Sequence, residues 1–247
     1  RGKPFSRLEK TPVRNNQMPA YLPFLVLFSW VTLVALMSEA IGRIFGDAES
    51  QKAKLFTYSG FMAIELVLIC AMLVIAAKNF DGGVKGFGID IRSLARDVKW
   101  AGVNYAAVFP LVILGVWLVV TIVKSVSGED YQLPKNESLK LILENRQHFL
   151  SILVIFTAGF VVPVFEELLF RGLMQSMIRK YLEKAWISII ICSIVFTLMH
   201  PQMSHWPALF MLSICLGYSY EKSRSLLRPI VIHILFNCFS IAGALSQ

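Results

Sequence analysis

Charged residues make up only 16% of the 247 residues, where a soluble domain carries about a quarter. So low a charge content excludes a disordered chain and argues against a soluble enzyme. Cysteine is equally sparse. Cys70, Cys192, Cys215 and Cys238 each fall within an apolar run, with no CxxC pair. They form neither a disulfide ladder nor a zinc framework and read as small buried residues. No internal repeat or low-complexity tract is present. His-Glu-x-x-His and Gly-x-Ser-x-Gly are missing too, which excludes a zincin-like site and a nucleophile elbow. Rhomboid-type serine and histidine motifs are not visible. None of the five Asp lies in an apolar run, so an aspartyl dyad is not expected.

Hydrophobic residues are plentiful instead. They reach 56%, with 18 Phe and nine Met, and mean hydropathy is +0.62. Seven apolar stretches can be marked, at 20–46, 55–77, 100–123, 149–180, 186–200, 207–220 and 226–245. About 20 apolar residues cross a bilayer as a helix, and only helices satisfy their own backbone groups in lipid. The expected fold is therefore all-α, a polytopic transmembrane bundle of seven helices. Eight is the alternative, because 149–180 is long for one crossing and Pro163 offers a kink or break.

The net charge is +8. The basic residues lie mostly between the apolar runs, so they are read as topology signals rather than as a nucleic-acid surface. Loops of one parity hold 17 Lys and Arg, and the other parity holds 7. By the positive-inside rule this puts the N-terminus in the cytoplasm. Residues 1–19 form a basic cytoplasmic segment without an apolar stretch, so they do not read as a cleavable signal peptide. Residues 20–147 form the N-terminal helices and an external loop, and 148–247 a C-terminal helical core. Within the first of these units, 81–98 reads as a cytoplasmic interfacial segment. Residues 125–147 read as an external loop with a short amphipathic helix, and Asn136-Glu137-Ser138 matches a glycosylation acceptor.

Ionisable groups inside apolar runs are costly and need a reason. Glu39 and Arg43 stand four apart and read as a local pair. Glu65 has no basic residue at helical spacing and is expected to face the bundle, either bonding a neighbouring helix or supporting the site. Glu167 and Arg171 share a helix face, whereas Glu166 is turned about 100° away and needs another partner. A carboxylate left free in this way suits general-base work. His200 precedes Pro201, which should end its helix. His233 and Asn237 are one turn apart on one face. Glu166 and His200 each lie 17 residues from a turn near residue 183, so antiparallel helices would bring them to similar height. His233 lies a few residues into the last run, consistent with a site open to the cytoplasm. His148 and His205 receive no role.

The blocks Glu166-Glu167-x-x-x-Arg171, Phe196-x-x-x-His200 and His233-x-x-x-Asn237 resemble, in order and spacing, the signature of the CAAX-protease and bacteriocin-processing family. This is the intramembrane endopeptidase family that includes type II CAAX prenyl endopeptidases. The resemblance covers about 150–245. It implies that Glu166 activates the attacking water with His200 assisting. His233 and Asn237 would stabilise the oxyanion, and Glu167 and Arg171 would support the site. It further implies a peptide or protein substrate, with a membrane-anchored one as an option, and the expected location is a bacterial cell membrane. A metal-free glutamate mechanism is favoured. The alternative is zinc held by Glu166, His200 and His233. A non-catalytic immunity or partner-binding protein on the same scaffold is the competing functional reading.

Overall fold

The computed structural model describes residues 8–46, 50–127 and 148–246. The expected 125–147 loop and its acceptor sequence lie almost wholly outside them. Among the described residues eight helices follow in order: α1 (Leu22–Phe45), α2 (Gln51–Asn79), the short α3 (Val84–Phe87), α4 (Leu94–Ser127), α5 (Phe149–Leu182), α6 (Ala185–Leu198), α7 (Trp206–Ser223) and α8 (Leu227–Leu245). No strand occurs among the described residues. The seven expected stretches each become a helix, and the eighth helix is α3, not a second half of 149–180.

Local chemistry sets the ends. Ser50 caps α2 by accepting from the Ala53 N–H, and Gly46 ends α1 at positive φ. At the α5–α6 turn, Glu183 takes the left-handed conformation, φ 54°, close to the expected turn. The start of α4 differs from expectation. Its first turn reaches back to Leu94 because Asp97 is held there by Ser93 (2.6 Å) and Arg228 (2.9 Å). Asp97 thus sits inside a span, buried and neutralised, where the sequence placed no Asp.

α1, α2, α4 and α5 are each long and apolar enough to cross a membrane, and their most apolar windows are only 11–39% buried. Large apolar side chains such as Phe28, Val67, Ile113 and Ile152 face outward, as lipid contact demands. α5 is the most buried of the four. It packs on the α1–α2 pair at one side and on α6 and α8 at the other, and α4 closes the bundle against α7 and α8.

Pro163 does not break α5. The helix passes it, with wide π-turns over Thr157–Val161 and Glu167–Gln175. Wide turns loosen the backbone ladder and free carbonyls for side chains. Cys192 Sγ donates to the Phe170 oxygen, and Asn237 Nδ2 donates to that of Ala158 at 2.8 Å. A π-type bond to Ala158 would come from residue 163, whose proline nitrogen carries no hydrogen. The Asn237 amide takes that place.

The segment before α1 is more than a topology signal. Residues 8–19 form a strap across one end of the bundle. Both Glu9 carboxylate oxygens accept from the first N–H groups of α6, at Ala185 (2.8 Å) and Trp186 (3.2 Å). Arg14 is buried over the Tyr220 ring, 3.7 Å from its centre, and donates to the Tyr220 oxygen. Arg179 bonds the Thr11 oxygen, and Arg224 that of Pro12.

The segment around α3 is anchored to the bundle at its centre. Phe87 is fully buried, and its oxygen accepts from the Tyr220 hydroxyl. A Cβ on Gly172 would stand 2.1 Å from the tip of the Phe87 ring, so α5 needs glycine there. Gly172→Ala is expected to lower stability by about 1–3 kcal/mol through overpacking. Gly102, with nothing within 4 Å, is the control, and Gly102→Ala should be near neutral. Thermal unfolding of the two detergent-solubilised variants checks this, and equal melting temperatures would refute it.

Candidate active site

The site forms where α5, α6 and α8 meet. Glu167 and Arg171 pair at 2.7 Å, both fully buried, as their four-residue spacing implied. The same Glu167 oxygen lies 2.8 Å from His233 Nδ1. A carboxylate paired with Arg can only accept, so Nδ1 carries the hydrogen. This hydrogen bond fixes the imidazole and points Nε2 at Glu166, whose Oε2 is 3.6 Å away. That separation is longer than a direct hydrogen bond.

Arg171 is held from three sides. Besides Glu167, its guanidinium bonds Ser213 Oγ at 2.8 Å and lies over the Phe196 ring, 4.6 Å from the centre. Phe196 is the hub of the site. Its ring centre is 4.8 Å from that of His200 and 5.9 Å from that of His233. α6 ends at Leu198, before Pro201, and His200 Nδ1 lies 2.9 Å from the Phe196 oxygen. The Trp206 indole N–H donates to the His200 oxygen.

Glu166 and His200 share the wall of a cavity of about 200 Å³. Its other walls are Leu27 and Trp30 of α1, Phe165, Leu169 and Phe170 of α5, and Met199 and Pro201 of the α6–α7 turn. It is a small, mainly apolar space with one acid and one imidazole turned to it. Burial first, and the neighbouring His200 second, hold the His205 imidazole below its ordinary value.

The structure therefore brings together Glu166, Glu167, Arg171 and His233 through direct contacts, and adds His200 through Phe196 and the cavity. Asn237 lies one turn beyond His233 on the face towards α5, with one of its two amide hydrogens engaged by Ala158. Glu39 and Arg43 pair at 2.8 Å on the exposed surface, away from the site. Ser213, Leu27 and Trp30 are parts of the site that sequence reasoning missed. A lone Ser and two apolar residues in apolar runs give no signal of their own. Among the described residues, no group of three His, Cys, Asp or Glu side chains is arranged to hold a metal ion.

Long apolar helices that bring Glu166, Glu167, Arg171 and His233 together between them define a membrane-embedded helical protein with an acid–imidazole site. The family model described as type II CAAX prenyl endopeptidase, Rce1-like, matches residues 148–239, the stretch that contains all three motif blocks. An uncharacterized 24.3 kDa protein of Escherichia coli is 25% identical over 126 residues, which cover 49% of this chain and 58% of that protein. The alignment thus spans somewhat over half the length of that relative. No solved structure matches the chain.

Proposed function

We propose that the protein is an intramembrane endopeptidase of the CAAX-protease kind, hydrolysing a peptide bond with a water activated by Glu166. The observation that carries this reading is the Glu166–His233 approach of 3.6 Å beside a cavity shared with His200. The Rce1-like match over the same helices supports it.

Glu166 takes a proton from water as the water oxygen bonds to the substrate carbonyl carbon. His200, on the same cavity wall, assists. The oxyanion that develops needs donors in a space from which bulk water is excluded. His233 supplies one through Nε2 when that nitrogen carries a proton, and Asn237 supplies the amide hydrogen that Ala158 does not use. The proton held by Glu166 then passes to the departing nitrogen as the C–N bond breaks. Glu167 and Arg171 hold His233 in place throughout.

This reading routes no step through a metal. Unchanged activity in the presence of a chelator is the expected result. The strap is taken as cytoplasmic, in a bacterial membrane. His233 lies six residues, or about 9 Å, from the strap-side start of α8, which supports cleavage near that face.

The test is comparative proteomics of membranes from cells carrying wild-type protein or Glu166→Ala. Uncleaved precursors should accumulate in the variant and identify the substrate. Identical proteomes, together with a cell phenotype that survives the substitution, would move the assignment to a non-catalytic immunity or partner-binding scaffold.

A further inference from the structure

His200 stands where helical geometry has run out. α6 ends at Leu198 and Pro201 follows His200 directly, so the His200 carbonyl leaves the helical ladder as an orphan acceptor. Its own N–H still closes on the Thr197 oxygen at 3.1 Å. Its imidazole Nδ1 lies 2.9 Å from the Phe196 oxygen. A carbonyl only accepts, so Nδ1 carries the hydrogen and Nε2 is left as an acceptor, on a residue that walls the Glu166 cavity. α6 thus sets the tautomer of His200. It does not set the course of the chain beyond.

Trp206 does. It opens α7, and its indole N–H reaches back six residues to the His200 oxygen at 2.9 Å. Trp206 also borders an apolar recess with Ile194, Thr197 and Leu198 of α6 and Pro207 and Phe210 of α7. The bond therefore ties the start of α7 to the end of α6, across the turn that gives Pro201 to the cavity wall.

The same helix holds the other part of the site. Ser213 Oγ accepts from Arg171 at 2.8 Å, and Arg171 holds Glu167, which orients His233. Trp206 and Ser213 are seven residues apart, so they share one face of α7 two turns from each other. One rigid helix thus has His200 tied to one point and the Glu167–Arg171–His233 group tied to another, about 10 Å further along.

We propose that Trp206 is a positioning residue for His200: its indole N–H, on the α7 face that carries Ser213, fixes His200 relative to the Glu167–Arg171–His233 group. This holds the assisting imidazole beside the water that Glu166 activates. The inference rests on the reading of His200 given above, and it gives a part in the reaction to α7, a helix with no motif residue.

The test uses purified full-length protein in detergent with naphthylalanine at position 206, which keeps two fused aromatic rings and lacks the N–H. The probe is the fluorogenic peptide that wild type cleaves fastest in a mixed library. A displacement of about 1 Å in a reacting group can cost about 10²-fold, and loosening one tether should cost less. The expected result is a kcat lower by about tenfold, with KM within about twofold of wild type. A kcat equal to wild type would show that the ring packs and the N–H positions nothing, and would overturn the proposal. A raised KM with kcat unchanged would overturn it as well, by making Trp206 a binding residue.

Heteronuclear NMR of histidine-labelled protein reads His200 without any reaction. Its Nδ1–H resonance, identified by loss in His200→Asn, should shift or broaden in the naphthylalanine protein while that of His233 stays in place. An unmoved His200 resonance overturns the proposal. Equal disturbance of both overturns it too, since the whole bundle has then changed. If the naphthylalanine protein does not insert, Trp206→Phe takes its place in both measurements. If wild type cleaves no peptide, the hydrolase reading fails, whereas the His200 resonance still decides whether Trp206 positions that imidazole.

Discussion

Glu166→Gln is expected to lower peptide turnover by about 10²–10⁴-fold, the usual contribution of a general base, with no loss of membrane insertion. The side chain keeps its shape, and its hydrogen-bonding edge still faces His233. Only the capacity to take a proton from water is removed. His233→Ala should cost a similar factor, because it removes the imidazole beside Glu166 to which the proposed reaction assigns oxyanion stabilisation. The two side chains stand 3.6 Å apart, so their effects should not add. The double variant should be little slower than the worse single one. Turnover of the precursor that accumulates in Glu166→Ala cells, measured with purified protein, gives both quantities. Full activity in either single variant would end the assignment, and additive losses would show that the two residues act independently.

Arg171→Met should be the most destabilising single change near the site. It leaves the Glu167 carboxylate fully buried with only an imidazole for company, and breaking a buried pair from one side costs about 3–5 kcal/mol. The Ser213 hydroxyl and the Phe196 ring lose their contacts at the same time. Removing both charges is a different matter. Glu167→Gln with Arg171→Met leaves no unpaired ion and should recover much of the stability. It should not recover activity, since a side-chain amide at position 167 fixes the His233 tautomer less firmly than a carboxylate does. Arg171→Lys is not conservative here, because one ammonium cannot span Glu167, Ser213 and the aromatic face as a flat guanidinium does. Denaturant midpoints in detergent, read beside turnover, check the pattern. A stable Arg171→Met protein would show that the pair is not ionised in the folded state.

Much of the architecture was legible in the residues. Apolar length marks a span whatever its neighbours are, because the requirement comes from the bilayer, and each of the seven stretches became a helix. The ends were less legible. α4 begins six residues before its apolar run because Asp97 is neutralised by Arg228, a residue 131 positions later in the chain. α5 passes Pro163 because Asn237, from α8, satisfies the carbonyl that proline cannot. A partner so distant in sequence leaves no local trace at either position.

The site divides in the same way. The Glu167–Arg171 pair and the common face of His233 and Asn237 follow from helical periodicity, a property of consecutive residues. Periodicity cannot say which helices touch. That His233 takes Glu167 on one nitrogen and faces Glu166 with the other, that Ser213 anchors Arg171 and that Trp30 walls the cavity are all decided by how α1, α5, α7 and α8 cross. The sequence by itself determined an all-helical membrane protein and the identity of its polar groups, because hydropathy and helical spacing act within one segment. Only the tertiary structure decided their partners, because pairing between faces depends on packing summed over the whole bundle.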